Sequence, residues 1–402
     1  MVSSERKRLL IITASALQQS VIKKAQSMGL EVVVTDRSPD SPGLKIADHA
    51  EVVDAHDFEG VLSVARKYKV DGVATEQTDV AVLTAAYVAE QLGLPGIGYQ
   101  VGRAATNKWL MRERCREAGI PSPRYQKVQT LEEAAAAAVE IGLPVVIKPV
   151  DAQSSCGVAK IWHVAEISKW FGKTRSYSHE GSVLVEEMMT GTESSVESFV
   201  TGDRVIVLGI CDKEKCPPPY SYDLRLTYPA FFSQDVIHEI ETLNEKVIKA
   251  IGITMGITHA EYIVTPQGVR LLEIAARGCG ARVATDLIPA MTNVDPIAAR
   301  IRQAIGESAG LAEPTSQKAG VLEFLMLPPG RVKKIEGLDE ARQLPGVLDV
   351  GYNVKAGDRI GVIENGAGRP GYLLAVGESR AEVQQTIKQV KRTLKVEMEM
   401  AS

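Results

Sequence analysis

The sequence predicts an α/β layer followed by α+β lobes, and three observations carry that prediction. The first ~100 residues alternate short apolar strands with amphipathic helices, the rhythm of a parallel sheet covered by helices. From Pro144 the pattern changes to short strands separated by turns. The length of 402 residues exceeds one ordinary core, since domains of ~100–200 residues are usual.

Leu9–Thr13 reads as an apolar strand, Leu17–Met28 as a helix ending at Gly29, and Glu31–Thr35 as a second strand followed by Asp36. Val52–Asp54 and Asp71–Thr75 are the third and fourth strands, with helices at Phe58–Tyr68 and Val80–Leu92, the latter stopped by Gly93. Ligands of such sheets bind beyond the carboxyl ends of the strands. Thr13–Ser15, Asp36 and Glu76–Asp79 are therefore candidate substrate-facing loops. The first strand runs into Thr13-Ala14-Ser15-Ala16 with no GxGxxG, which removes most support for a dinucleotide site. Residues 106–142 read as mainly helical, with Pro121 and Pro123 separating a first helix from the Ala-rich Leu131–Ile141.

Val145–Lys148, Val158–Ile161, Val183–Glu187 and Ser195–Val200 are the short strands of a small α+β lobe, and Thr258–Val264 with Val269–Ala275 forms a hairpin. Leu322–Leu327, Val347–Tyr352, Arg359–Glu364 and Tyr372–Glu378, then an amphipathic helix near Glu382–Leu394, make a β-rich closing lobe. The expected units are residues 1–105, 106–187, 188–310 and 311–402.

A formal charge of −4 gives no electrostatic case for nucleic acid as a partner. No apolar run approaches the roughly 20 residues that span a bilayer. Residues 1–8 carry charges of both signs with no apolar signal-peptide core after them. Five cysteines at irregular spacing are not a disulfide framework and offer no paired CxxC units for zinc. A cytoplasmic protein is expected.

Several segments carry chemistry. In Pro144-Val-Val-Ile-Lys148, a lysine lies in an apolar strand, where burial demands a partner for its charge. The loop behind it holds Ser154, Ser155 and Gly157, small residues that let backbone N–H groups approach an anion. Lys148 and this loop suit a triphosphate, and Lys108 is a second candidate phosphate contact. In Val183-Leu-Val-Glu186-Glu187-Met188-Met189, an apolar strand runs into a hinge whose methionines suit an adenine slot. Glu193, just beyond, is placed to accept from ribose hydroxyls.

In Thr258–Arg277, a three-residue Pro266-Gln267-Gly268 turn pairs Thr265 with Val269 and brings Glu261 opposite Glu273. Two carboxylates side by side repel, and a divalent cation with hard oxygen ligands relieves this. A two-residue turn would put them on opposite faces. Arg277 offers a planar fork for phosphate or carboxylate. Gly278 and Gly280 expose backbone N–H groups beside it.

In this order, Lys108, Lys148 with its Ser/Gly loop, the Glu-Glu-Met-Met hinge, Gly-x-Glu193, and Glu261/Glu273 with Arg277 resemble the ATP-grasp superfamily. The likeness runs over about residues 8–395. It implies an ATP-grasp fold: an N-terminal parallel-sheet α/β domain, a small α+β ATP lid lobe, a larger central lobe and a β-rich C-terminal lobe. It further implies ATP and Mg²⁺ (Mn²⁺ also serving) as cofactors. Lys108 and Lys148 then match the two phosphate lysines, residues 154–157 the flexible lid, Glu186 to Met189 the adenine hinge and Glu193 the ribose acid. Glu261 and Glu273 match metal-bridging carboxylates, and Arg277 the arginine that steadies the acyl phosphate or substrate carboxylate. One departure is Glu273-Ile-Ala275 where many members have Glu-x-Asn.

The resemblance implies a carboxylate–amine ligase working through an acyl phosphate. The Glu273–Gly280 pattern is similar to that of L-amino-acid ligases, with Glu76, Arg277 and Gly280 on the substrate side and His259 orienting substrate or taking a proton from the amine. The Tyr- and Pro-rich insertion Cys211–Asp235 is the expected acceptor-facing loop. A formate- or bicarbonate-activating purine-pathway enzyme acting on an aminoribonucleotide is the alternative. A nucleotide-binding protein without chemistry is a second alternative. The expected partners are a small-molecule acid and amine, with no nucleic acid and no membrane, in a homodimer.

Overall fold

The computed structural model describes residues 6–316 and 318–400. Residues 1–5, part of the segment read against a signal peptide, lie outside the described residues. Four parallel strands form the N-terminal sheet, in the order His49–Val52, Glu31–Asp36, Arg8–Ile12, Gly72–Ala74. Leu9, Leu10, Ile11 and Ile12 are all fully buried, because helices cover both faces of a parallel sheet. Leu9 and Ile11 pack with Val21, Ile22 and Ala25 of the helix Gln19–Ser27. Leu10 and Ile12 point the other way, into Val61, Leu62, Ala85 and Val88 of the helices Phe58–Tyr68 and Val82–Leu92. Ile11 is the Cα partner of Ala74, the last residue of the parallel strand Gly72–Ala74, so the loops at 13–15 and 76–79 share one rim.

The lid sheet is antiparallel, in the order Tyr125–Val128, Val183–Glu187, Val145–Pro149, Ala159–Ile161. Its first strand falls within a stretch expected to be mainly helical. Pro121 and Pro123 withhold backbone donors there, and Tyr125–Val128 instead pairs with the free edge of Val183–Glu187. The helix Leu131–Ile141 starts at a capping box formed by Thr130 and Glu133.

Eight antiparallel strands make the central sheet, in the order Gly268–Ala275, Met255–Thr265, Thr192–Thr201, Arg204–Lys215, Asp223–Tyr228, Ala319–Leu325, Gly371–Gly377, Val347–Tyr352. The sheet therefore runs unbroken from the metal-candidate hairpin into the C-terminal residues, through Tyr228 paired with Gly320. The expected insertion Cys211–Asp235 is corrected here. Residues 211–215 and 223–228 are strand joined by the loop 216–222, and 229–233 lead into the next helix. A helix unread in the sequence, Gln234–Ile251, is capped by Ser233 and stopped by Gly252 at φ +87°. It packs Ile240, Leu243 and Val247 into the same core as Tyr262 and Leu271. Gly330–Glu336, Arg359–Ile360 and Lys395–Met400 form a small outer sheet. Among the described residues, no helix is long and apolar enough to cross a membrane. All five cysteines are free.

Candidate active site

A cavity of about 1020 Å³ opens between the N-terminal loops, the lid sheet and the central sheet. Its floor is the Met255–Thr265/Gly268–Ala275 hairpin. Glu261 and Glu273 are Cα partners there, the pairing read from the sequence, but the route differs. The turn is the two-residue Pro266-Gln267, with Thr265 opposite Gly268 at φ +105°. A regular ladder from that turn would place Glu261 opposite Leu272. A bulge between Glu261 and Tyr262 absorbs Leu272 and restores the carboxylates to one face.

The lysines reach the cavity from two sides. Lys108 opens a helix capped by Asn107; its Nζ lies 2.6 Å from the Ala152 carbonyl and 3.2 Å from Glu273 Oε2. Burial works against its charge, but Glu273 and Asp79 outweigh burial and raise its pKa. Lys148 Nζ lies 2.5 Å from Glu186 Oε2. Glu186 also receives the fully buried Arg112, whose Nε is 2.7 Å and Nη2 3.3 Å from its two oxygens. Burial pushes the Glu186 carboxyl up, yet Arg112 and Lys148 overcome it and hold the group at about 2. Burial lowers Lys148 from its ordinary value despite Glu186. The Glu186 side chain is therefore held as a counter-ion at the cavity edge, which Glu187, Met188 and Met189 of the hinge also line. Arg112 was missed. Its signal, an arginine four residues after Lys108, is indistinguishable in sequence from a solvated helix face.

Ser154 and Ser155 line the cavity with φ of +58° and +56°, a left-handed pair uncommon outside glycine. Ser155 Oγ donates to Ser221 O (2.8 Å) and Gly366 N donates to Ser154 O (2.9 Å), so this loop bridges the lid to the 216–222 loop of the central sheet and to a C-terminal segment. Gly157 stands behind the cavity wall, where a Cβ would lie 2.9 Å from Pro149 Cγ.

The loop after the hairpin is strapped by side chains that accept its backbone N–H groups. Gly278 N donates to Glu76 Oε2 (3.0 Å), Cys279 N to Glu197 Oε2 (2.9 Å) and Arg282 N to Gln77 Oε1 (2.9 Å). Arg277 forks onto Asp79 at 2.6 and 2.9 Å. Glu76, expected on the substrate side, is buried and braces Gly278. Desolvation pushes its carboxyl to about 7 against the pull of the Gly278 N–H. The residue of that loop that meets Arg277 is Asp79. Gly280 lines the cavity beside Arg277.

Below Glu261 lies an ionic network that sequence reading missed. Lys213 Nζ is 2.5 Å from Glu261 Oε1 and 3.4 Å from Asp223 Oδ2. Lys215 Nζ is 2.9 Å from Glu193 and 3.0 Å from Asp223 Oδ1. Burial opposes the Lys213 charge, but Asp223 and Glu261 raise it well above the usual range. Burial likewise opposes Glu261, and Lys213 with His259 holds it well below. His259 sits between Glu197 (Nδ1, 2.5 Å) and Glu261 (Nε2, 3.2 Å). Burial resists its protonation, while Cys279 and Glu197 favour it, and the net direction is strongly upward. The two lysines were legible by the logic applied to Lys148, charged residues two apart on one face of an apolar strand. Their segment was read as a loop.

Three family matches cover most of this architecture: the ATP-grasp N-terminal domain over residues 22–96, the ATP-grasp domain over 141–286, and the L-amino acid ligase C-terminal domain 2 over 323–399. The chain belongs to the ATP-grasp superfamily. Its relatives within that superfamily include L-amino acid ligases and purine-pathway synthetases. It is 28% identical over 389 residues to protein y4rH of Sinorhizobium fredii, covering 94% of this chain and 80% of that one. It is 24% identical to the formate-dependent phosphoribosylglycinamide formyltransferase of Saccharolobus solfataricus, covering 85% and 86%. Its fold is that of the L-amino acid ligase from Bacillus licheniformis, with a TM-score of 0.84 at 21% identity over 98% of this chain and 100% of that one.

Proposed function

We propose that the chain joins an L-amino acid to a second amino acid or amine, using ATP and releasing ADP and phosphate. The observation that carries this reading is the convergence of Lys108, the Glu261/Glu273 pair and Arg277 on one cavity whose roof is the Ser154–Ser155 loop. The C-terminal family match favours an amino acid as the acid.

In this reading Met188 and Met189 line the adenine slot and Glu193 takes the ribose hydroxyls. Lys108 and Lys148 neutralise phosphate charge, and the 154–157 loop excludes water. Glu261 and Glu273 offer hard oxygen donors on one face, a set that fits Mg²⁺ or Mn²⁺. Such a cation, when bound, would supply further charge neutralisation at the phosphates. A substrate carboxylate oxygen attacks the γ-phosphorus in line and ADP leaves. The amine then attacks the acyl carbon and phosphate leaves. Arg277 steadies the developing oxyanion, its fork already positioned by a carboxylate, that of Asp79. His259, with both ring nitrogens facing carboxylates, is assigned to holding Glu261 rather than to proton abstraction.

The test is phosphate release with ATP and Mg²⁺ across amino-acid pairs, formate and bicarbonate with an aminoribonucleotide, beside Glu273→Ala. Release that needs two amino acids and vanishes in the variant supports the reading. Release only with formate or bicarbonate moves the assignment to the purine-pathway class, which the Saccharolobus relative keeps open. The homodimer is proposed with it and is read by light scattering.

A further inference from the structure

Gln153 is the last residue before the left-handed Ser154–Ser155 pair, and its side chain reaches out of the lid to the N-terminal domain. Its Oε1 accepts from Asp79 N at 2.7 Å. Among the described residues, no other hydrogen bond joins residues 6–105 to residues 125–187. One residue earlier, Ala152 O accepts from Lys108 Nζ (2.6 Å). The exit of the Val145–Pro149 strand is thus pinned at a candidate phosphate lysine and at Asp79 together.

Asp79 is also the carboxylate on which Arg277 forks. A planar guanidinium held through two donors takes its orientation from that carboxylate. Glu76 and Gln77 of the same loop accept from Gly278 N and Arg282 N, so residues 76–79 and 277–282 are bound into one unit. Both halves carry non-glycine residues at positive φ, Gln77 at +60°, Ala281 at +54° and Arg282 at +67°. Such conformations persist where the surroundings hold them. The lid meets this unit at Gln153. If the two parted, a part-buried Asp79 N–H would lose its acceptor, so the unit follows the lid.

Resting on the proposed nucleotide site, we infer that Gln153 is a positioning residue for Arg277. It carries the state of the lid through Asp79 to the acid site, so that a bound nucleotide firms the 277–282 loop before the acid arrives.

The experiment is hydrogen–deuterium exchange on the full chain, with and without a saturating non-hydrolysable ATP analogue and Mg²⁺. Mass spectrometry reads the lid segment 150–160 and the remote segment 277–287. In the wild type the analogue is expected to slow exchange in both, the remote segment by about fivefold or more, the lower end of usual coupling strengths. Gln153→Met keeps the side-chain length and removes the acceptor; it is expected to keep the lid protection and lose the remote protection. Gln153→Glu restores an acceptor oxygen at the same reach and is expected to recover it. Gln153→Ala repeats the test should Gln153→Met misfold by circular dichroism. Lid protection without remote protection in the wild type, remote protection kept in Gln153→Met, or no recovery in Gln153→Glu overturns the inference. Loss of lid protection in Gln153→Met overturns it too, since Gln153 would then be a nucleotide contact. If the analogue protects neither segment of the wild type, the proposed nucleotide site fails instead, and the two failures are told apart.

Discussion

Arg112→Met should be among the most destabilising single changes in this chain. Arg112 is fully buried and ties three elements together. Its guanidinium holds both oxygens of Glu186 in the lid sheet, and it donates to the carbonyls of Leu271 (3.3 Å) and Leu272 (2.7 Å) at the hairpin bulge. Methionine fills much of the volume but leaves Glu186 with Lys148 alone and two carbonyls unsatisfied. Removing one partner of a buried pair costs about 3–5 kcal/mol, because the remaining charge has no solvent to turn to. The companion variant Arg112→Met/Glu186→Leu removes the orphaned carboxylate and is expected to recover most of that loss. Urea unfolding followed by tryptophan fluorescence reports on this junction, since Trp109 lies in the Arg112 helix and Trp162 and Trp170 in the lid. A loss in Arg112→Met below ~1 kcal/mol, the size of an exposed pair, would refute the reasoning. So would a double variant no better than the single one.

Glu76 gives a pH signature of opposite sign to the paired acids. Its folded value of about 7 lies above the ordinary 4.5, so the native state keeps a proton that the unfolded chain releases. Stability should therefore fall as pH rises from 4.5 to 7, by up to ~3 kcal/mol, and Glu76→Gln should lack that slope in urea midpoints taken across the range. Glu186 behaves in reverse: its contribution is full above 4.5 and is lost as pH falls towards about 2. Two neighbouring glycines should separate cleanly. Gly278→Ala places a Cβ 2.5 Å from that of Ala284 and should cost ~1–3 kcal/mol by overpacking, with Arg277 displaced. Gly280→Ala meets nothing nearer than Gln77 O at 4.0 Å and should leave the thermal midpoint unchanged.

The site was legible wherever one residue type in one pattern allowed one cheap arrangement. Lys148 in an apolar strand had to find a counter-charge, and two acids on a hairpin had to face each other or diverge. Sequence gave no view of which partner would be chosen. Lys148 found Glu186, itself read as part of the adenine hinge, because Arg112 arrives from a helix 74 residues upstream. The turn shows the same limit. A hairpin register depends on the turn and on any bulge together, and Leu272 carries no mark of being the extra residue. The Arg204–Lys215 strand was missed for a related reason. Its alternation ends in Cys-Asp-Lys-Glu-Lys, polar residues that read as surface until Asp223 and Glu193 are brought beside them. Helices with strong caps, such as Phe58–Tyr68 and Leu131–Ile141, fell where expected, because capping is local chemistry.

The central claim is that this cavity transfers the γ-phosphoryl group to a carboxylate. Its most direct test is positional isotope transfer: an accepted acid labelled with oxygen-18 in its carboxylate, turned over with ATP and an amine, with the released phosphate read by mass spectrometry. The acyl-phosphate account predicts one labelled oxygen in the phosphate per product formed, absent in Glu273→Ala. Product formation with unlabelled phosphate would contradict it.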